Sequence, residues 1–168
     1  VDLSTLANVA TALTVIIGVI FALVEARRLR RDREERAALE AVHAMLTPAY
    51  IDSFLVVQTI RDDATAEEIE SNAETLEAVR SVGLVIEALG YSVFERIVPL
   101  RMVDNLVGGN IRVIWRKIRP YVEYERARTG SDKTFEWFQW LAEQLEKYNR
   151  GKTSLKLGAH KAYRDWKP

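Results

Sequence analysis

Hydrophobic positions fall into two regimes along the chain. From Leu3 to Val24 no residue is charged, and the run TLANVATALTVIIGVIFALV is apolar on every side. A helix over Leu6–Val24 spans roughly 28 Å at ~1.5 Å per residue, matching a hydrocarbon core of about 30 Å. Beyond Glu40 the apolar residues recur at spacings of 3 and 4, the signature of helices with one buried face, and no stretch alternates as a strand does. Residues 25–38 lie between these regimes and are polar all round. They carry opposite charges four apart, at Arg28–Asp32, Arg30–Glu34, Arg31–Glu35 and Asp32–Arg36. Such pairs support a solvated helix. Nothing breaks the chain between Leu6 and Leu46, so one long helix is expected there.

Further elements follow from their punctuation. Thr47-Pro48 reads as N-cap and N1 of a central helix holding Ile51, Phe54, Leu55 and Ile60. Thr65 and Glu68 form a capping box. The helix they open carries Ile69, Ala73, Leu76, Val79, Gly83 and Ile86, with Gly90 as its stop. Ser92 and Pro99 start two short pieces, and Gly108-Gly109 separates them from a helix with Ile111, Ile114, Trp115, Ile118, Val122 and Glu125 on one face. Pro120 predicts a kink near Arg119. Gly130 ends this helix, and Ser131 caps the last one, striped by Phe138, Leu141, Leu145 and Tyr148. The fold class is therefore all-α: an N-terminal transmembrane helix continuing into a long juxtamembrane helix, then a small cytoplasmic bundle and a basic tail. The divisions are 1–24 for the anchor, 25–46 for the charged helix, 47–150 for the helical domain and 151–168 for the tail. The core is expected to include Phe54, Leu55, Leu76, Val79, Ile86, Ile114, Trp115, Ile118, Phe138 and Leu141.

Charge refines this picture. The 168 residues hold 24 Lys and Arg against 24 Asp and Glu, yet the signs are segregated. Six Arg (27, 28, 30, 31, 33, 36) follow the apolar run and none precedes it. The positive-inside rule then places the N-terminus outside and the domain in the cytoplasm, on a bacterial inner membrane. A cleaved signal peptide would carry its basic residues before the apolar run instead. Between Asp62 and Glu95 nine acids stand against one base, Arg80, and bases gather from Arg150 on. Cysteine is absent, which removes disulfides, thiolate metal sites and thiol catalysis.

Little in the chain asks for chemistry. His43 and His160 stand apart, without the convergent ligands that a metal needs. Gly108-Gly109-Asn110 lacks the preceding strand and following Lys-Ser/Thr of a phosphate loop. Asp62, Asp63, Glu67 and Glu68 surround a helix N-terminus, where negative charge is favoured. No cofactor and no enzyme activity is expected. Neither a nucleic-acid partner nor a small-molecule substrate is indicated.

Surfaces for association are more legible. Ala7, Thr11, Thr14, Gly18 and Ala22 recur at spacings of 4, 3, 4 and 4 on one face of the anchor, as in helix pairs that approach closely. Arg27, Arg28, Arg30 and Arg31 suit anionic headgroups. Arg112, Arg116 and Arg119 form a second stripe, suited to the acidic helix 67–77 or to lipid. Trp140 lies off its helix's apolar stripe, and Trp166 sits in the basic tail; both are candidate partner contacts.

Three stretches, Glu87–Gly90, Gly108–Tyr121 (GGNIRVIWRKIRPY) and Phe138–Leu145 (FQWLAEQL), following an apolar anchor and an Arg-rich helix, resemble a family of bacterial single-pass membrane proteins catalogued as a domain of unknown function. The resemblance implies the anchor-and-domain layout and carries over no site residue. The expected role is a non-catalytic accessory or structural subunit of a larger bacterial membrane complex, respiratory or photosynthetic in type, with other membrane subunits and anionic lipid as partners. A self-associating signalling module is the alternative. It would want a heptad seam, for which 25–46 supplies only Leu29, Leu39, Val42 and Leu46.

Overall fold

A computed structural model of the chain describes residues 2–62, 64–150, 158–162, 164–165 and 167. Among these the fold is all-α, without a strand. Helix α1 runs unbroken over Leu3–Met45, 43 residues, as the lack of any breaker predicts. It is followed by α2 (Pro48–Thr59), α3 (Ala66–Ser71), α4 (Ala73–Phe94), α5 (Leu100–Leu106), α6 (Gly108–Thr129), α7 (Glu136–Arg150) and the single turn α8 (Ala159–Ala162).

Among the described residues the first half of α1 packs against nothing. Among the described residues it is the one helix long and apolar enough to cross a membrane, and none of its apolar window is buried. Of the four charge pairs expected after it, the structure forms Arg30–Glu34, at 3.0 Å. The last turns of α1 reach the domain, where Met45 is buried and Ala37 and Ala41 lie against the core.

The core sits between α2, α4, α6 and α7, with α3 closing one end against α4 and α6. Phe138, Ile86, Ile114, Ile118, Leu141, Leu145, Val57 and Val79 are fully buried. Each fully buried aliphatic or aromatic side chain stabilises the fold by about 1.5–3 kcal/mol. Thr47 caps α2 by accepting from the Tyr50 N–H, and Pro48 occupies the first helical position. Thr65 and Glu68 form the reciprocal capping box of α3, at 3.0 and 3.2 Å. Gly130 ends α6 in the left-handed conformation, φ 65°.

Several expectations are corrected. The helix opened at Thr65 is two helices, because Asn72 leaves the helical region and its Oδ1 accepts from the Thr75 N–H to cap α4. Gly90 does not stop α4, which continues to Phe94. Ser92 is therefore not a cap; its hydroxyl donates to the Ala88 carbonyl within the helix. Leu55 is 58% exposed and Ile51 40%, so α2 flanks the bundle, burying Tyr50 and Val57. Gly108 and Gly109 belong to α6 rather than to a spacer, since only Val107 separates α5 from it. Helix α6 carries Pro120 without interruption. Ser131 does not cap α7, which begins at Glu136.

Candidate functional site

The resemblance stretches converge in space. Glu87, one turn before Gly90 on α4, reaches across to α7, where its Oε2 accepts from the Phe138 backbone N–H at 2.7 Å. A carboxylate at a helix N-terminus satisfies an orphan donor and meets the positive end of the dipole. Gly90 lies so close to α7 that a Cβ there would stand 2.3 Å from the Trp137 carbonyl oxygen. Gly83, two turns earlier, receives the Phe135 ring, which a Cβ would meet at 2.4 Å. Phe135 itself has φ 51°, a conformation costly for a side chain with a Cβ. Arg126 holds the same turn, donating through Nε and Nη2 to the Thr134 carbonyl at 3.0 and 2.8 Å and through Nη1 to Gln139. Leu145 abuts Gly108, and Trp115 packs on Phe138 with ring centroids 5.2 Å apart. These motifs build the α4–α6–α7 core.

Buried polar groups elsewhere are also structural. Glu125 is buried and held by Arg128 through two bonds of 2.9 and 2.7 Å. Those bonds to Arg128 hold its carboxyl below the usual carboxylate range against the opposing effect of burial, with smaller contributions from the Arg128 charge, Glu70 and Arg80. Asp104 accepts from Arg112 at 3.0 Å and from the Asn149 amide at 2.8 Å, tying the end of α7 to α5 and α6. Lys117, nearly buried, donates to the Ile60 carbonyl at the end of α2 and pairs with Asp62 at 3.3 Å. Burial pushes the Tyr50 hydroxyl up to about 12. Among the described residues no group of three or more His, Asp or Glu gathers as metal ligands.

The association residues lie on open surface. Gly18 has nothing within 4 Å of the position of a Cβ, and Ala22 is exposed. Thr14 donates to the Ala10 carbonyl of its own helix at 2.9 Å. Thr11 lies on the same helix, and the Ala7 side chain is outside the described residues, as is Trp166. Arg27, Arg28 and Arg31 are exposed. The second Arg stripe does not pair with the acidic helix: Arg112 binds Asp104, Arg119 binds Glu123 one turn on at 2.6 Å, and Arg116 is exposed. Arg112 finds its partner on the adjoining α5, and Arg119 finds one along its own helix. Segment 151–157 of the basic tail lies outside the described residues.

Trp140 belongs to an aromatic cluster missed by single-helix patterns. Its ring meets Phe94 edge-on at 5.7 Å and Trp137 at 6.1 Å; Phe94 lies 4.6 Å from Trp137, which also meets Tyr91 at 5.5 Å. Phe94 and Tyr91 each remain 48% exposed. A groove of about 500 Å³ beside the cluster is lined by Arg30 and Glu34 of α1, by Phe94, Arg96 and Leu100, and by Trp140. A second, of about 400 Å³, runs between the end of α1 and α4, past Ala41, Met45, Leu84 and Leu89.

A family model described as a domain of unknown function, DUF4760, matches residues 12–145. The match begins inside the apolar half of α1 and ends inside α7, before the tail. No curated protein matches the chain, and neither does any solved structure.

Proposed function

The chain belongs to the DUF4760 family, and from that premise we propose that it is a membrane-anchored, non-catalytic interaction module, an accessory or structural subunit of a larger bacterial membrane complex. The observation carrying this reading is α1. One unbroken helix of 43 residues joins an apolar half with no packing partner to a half seated on the domain core. Uncovered apolar surface of that extent is stable in a bilayer or against other apolar helices. The family match across the junction supports treating anchor and domain as one unit.

In this reading the Arg cluster after Val24 keeps the domain on the cytoplasmic side of the inner membrane. The face of Thr11, Thr14, Gly18 and Ala22 meets another transmembrane helix. Purification of the tagged chain in mild detergent is expected to bring other membrane subunits with it. Gly18→Ile with Ala22→Ile should release them, whereas Ile16→Leu with Ile20→Leu should not. Recovery of the unsubstituted chain alone would refute the subunit role, and unchanged copurification of the Gly18→Ile, Ala22→Ile chain would remove the helix interface. Topology is tested separately. A cysteine at Ser4 should react with an impermeant reagent on intact cells, and one at Ser71 should not.

A further inference from the structure

The end of α1 and the middle of α4 leave an apolar groove between them. Ala37, Ala41 and Ala44 line its α1 side, Leu84 and Ala88 its α4 side, and Ile97 folds back onto it. Leu84 is 64% exposed and Ile97 51%, so among the described residues nothing covers this groove. The two helices run antiparallel. Ala44 shares the groove with Leu84, whereas Arg30 and Glu34, earlier in α1, share the neighbouring one with Val93 and Phe94. Each step back along α1 is therefore matched by a step forward along α4. In that register Leu84 stands level with Ala44, Ala88 with Glu40, Tyr91 with Ala37, and Glu95 with Arg33. On each helix these positions are 4, 3 and 4 apart, the spacing of a seam that packs on another helix. All four are exposed on α4, and on α1 all but the half-buried Ala37.

The two seams complement each other in size and in charge. Leu84 and Tyr91 are large where Ala44 and Ala37 are small, the alternation that lets facing helices interdigitate. Glu95 is level with Arg33, and Arg36 lies one turn away. None of these three forms an ion pair among the described residues. Within one chain the seams lie side by side along the mouth of the groove and cannot meet. Between two chains they can. Anchors in one bilayer hold two copies parallel and at one depth, and a half-turn about the membrane normal leaves every height unchanged. That rotation lays the α4 seam of each copy on the level residues of the other copy's α1. Four helices then alternate in direction around the axis, as in an up-down bundle.

We infer that the α1–α4 groove is closed by a second copy of this chain. In this two-fold dimer Leu84 and Tyr91 of each copy pack on Ala44 and Ala37 of the other, and Glu95 pairs with Arg33 across the interface. The same patch serves both copies, as a two-fold interface requires. The inference rests on the anchored reading above and deepens it: the unit offered to the larger complex is a pair of chains.

The full-length chain lacks cysteine, so one tagged chain can carry Ala44→Cys and a differently tagged one Leu84→Cys. The two are reconstituted together into vesicles and treated with a short bis-maleimide; a product bearing both tags arises only between copies. Its yield should exceed several-fold that of Ser71→Cys mixed with Leu84→Cys, and should persist on lipid dilution that abolishes the Ser71 product. Arg33→Glu or Glu95→Arg, each placed in both chains, should cut the yield several-fold, and the two reversals together should restore it. All five substituted positions are exposed, so circular dichroism melts should match the unsubstituted chain. A 44–84 yield no higher than the Ser71 control, or a double reversal that fails to restore what the single ones removed, would overturn the dimer. Cross-linking of Leu84→Cys in native membranes to a different protein alone would give the groove to that partner, and also overturn it. Flotation separates the premise: a chain that does not float with vesicles removes the anchored reading together with the dimer built on it, whereas one that floats without the 44–84 product overturns the dimer alone.

Discussion

At the scale of single residues, the α4–α7 seam is decided by what Gly83, Glu87 and Gly90 lack or supply. They recur at spacings of 4 and 3, so they share one face of α4. Gly90→Ala would drive a Cβ into the Trp137 carbonyl, which belongs to backbone and cannot rotate aside. It should destabilise by about 1–3 kcal/mol. Gly109→Ala is the matched control, with nothing near its Cβ position; it should be neutral or stabilise by up to ~1 kcal/mol. Denaturant melts of the two variants check the contrast. Glu125 supplies a pH signature. Its carboxyl is lowered in the fold, so the folded state binds its proton less readily than the unfolded chain. Its contribution is present above the ordinary carboxylate value of 4.5 and is lost as pH falls through the lowered value. Thermal melts of the wild type and Glu125→Gln should therefore be furthest apart near neutrality and converge on acidification. The sequence shows Glu125 on an apolar face, so a buried acid was legible. That Arg128 holds it was not, because several cations lie within reach of a helix's last turns.

Helices were legible where their signals are local. Thr47-Pro48, the Thr65–Glu68 box and Gly130 do in the structure what their chemistry predicts. Signals failed where a tertiary partner competes. Gly90 reads as a stop yet serves as a close approach, and Ser131 reads as a cap while Glu87, far along the chain, takes that role. The Ile69–Ala73 spacing of 4 hid the break at Asn72, since periodicity survives one non-helical residue. Asn72→Ala removes the acceptor for the Thr75 N–H and should cost about 1 kcal/mol. Loss of protection at the first turn of α4 in hydrogen exchange would locate the effect. Leu141→Ala, in the fully buried centre, should cost roughly 2–5 kcal/mol. Leu55→Ala, on the open side of α2, should cost well under half of that.

Across the whole molecule, formal neutrality conceals a separation of charge. Glu67, Glu68, Glu70, Glu74 and Glu77 lie at the end where α3 meets α4 and α6, while the arginines of 27–36 lie on the helix that leads to the apolar half. Sequence alone revealed the clusters but not their opposition, because that depends on α4 running antiparallel to α1. The continuity of α1 has a consequence of its own. A helix without a hinge transmits phase as well as distance, so the azimuth of the domain is locked to the small-residue face of the anchor. Inserting one alanine after Arg28 would turn the domain by about 100° while advancing it only ~1.5 Å. Inserting seven would restore its bearing to within about 20° and carry it roughly 10 Å further out. A partner that grips both anchor and domain should be lost with one added residue and also with seven. A partner held by the anchor alone should tolerate either, so copurification of these two insertions measures whether the complex grips the domain as well as the anchor.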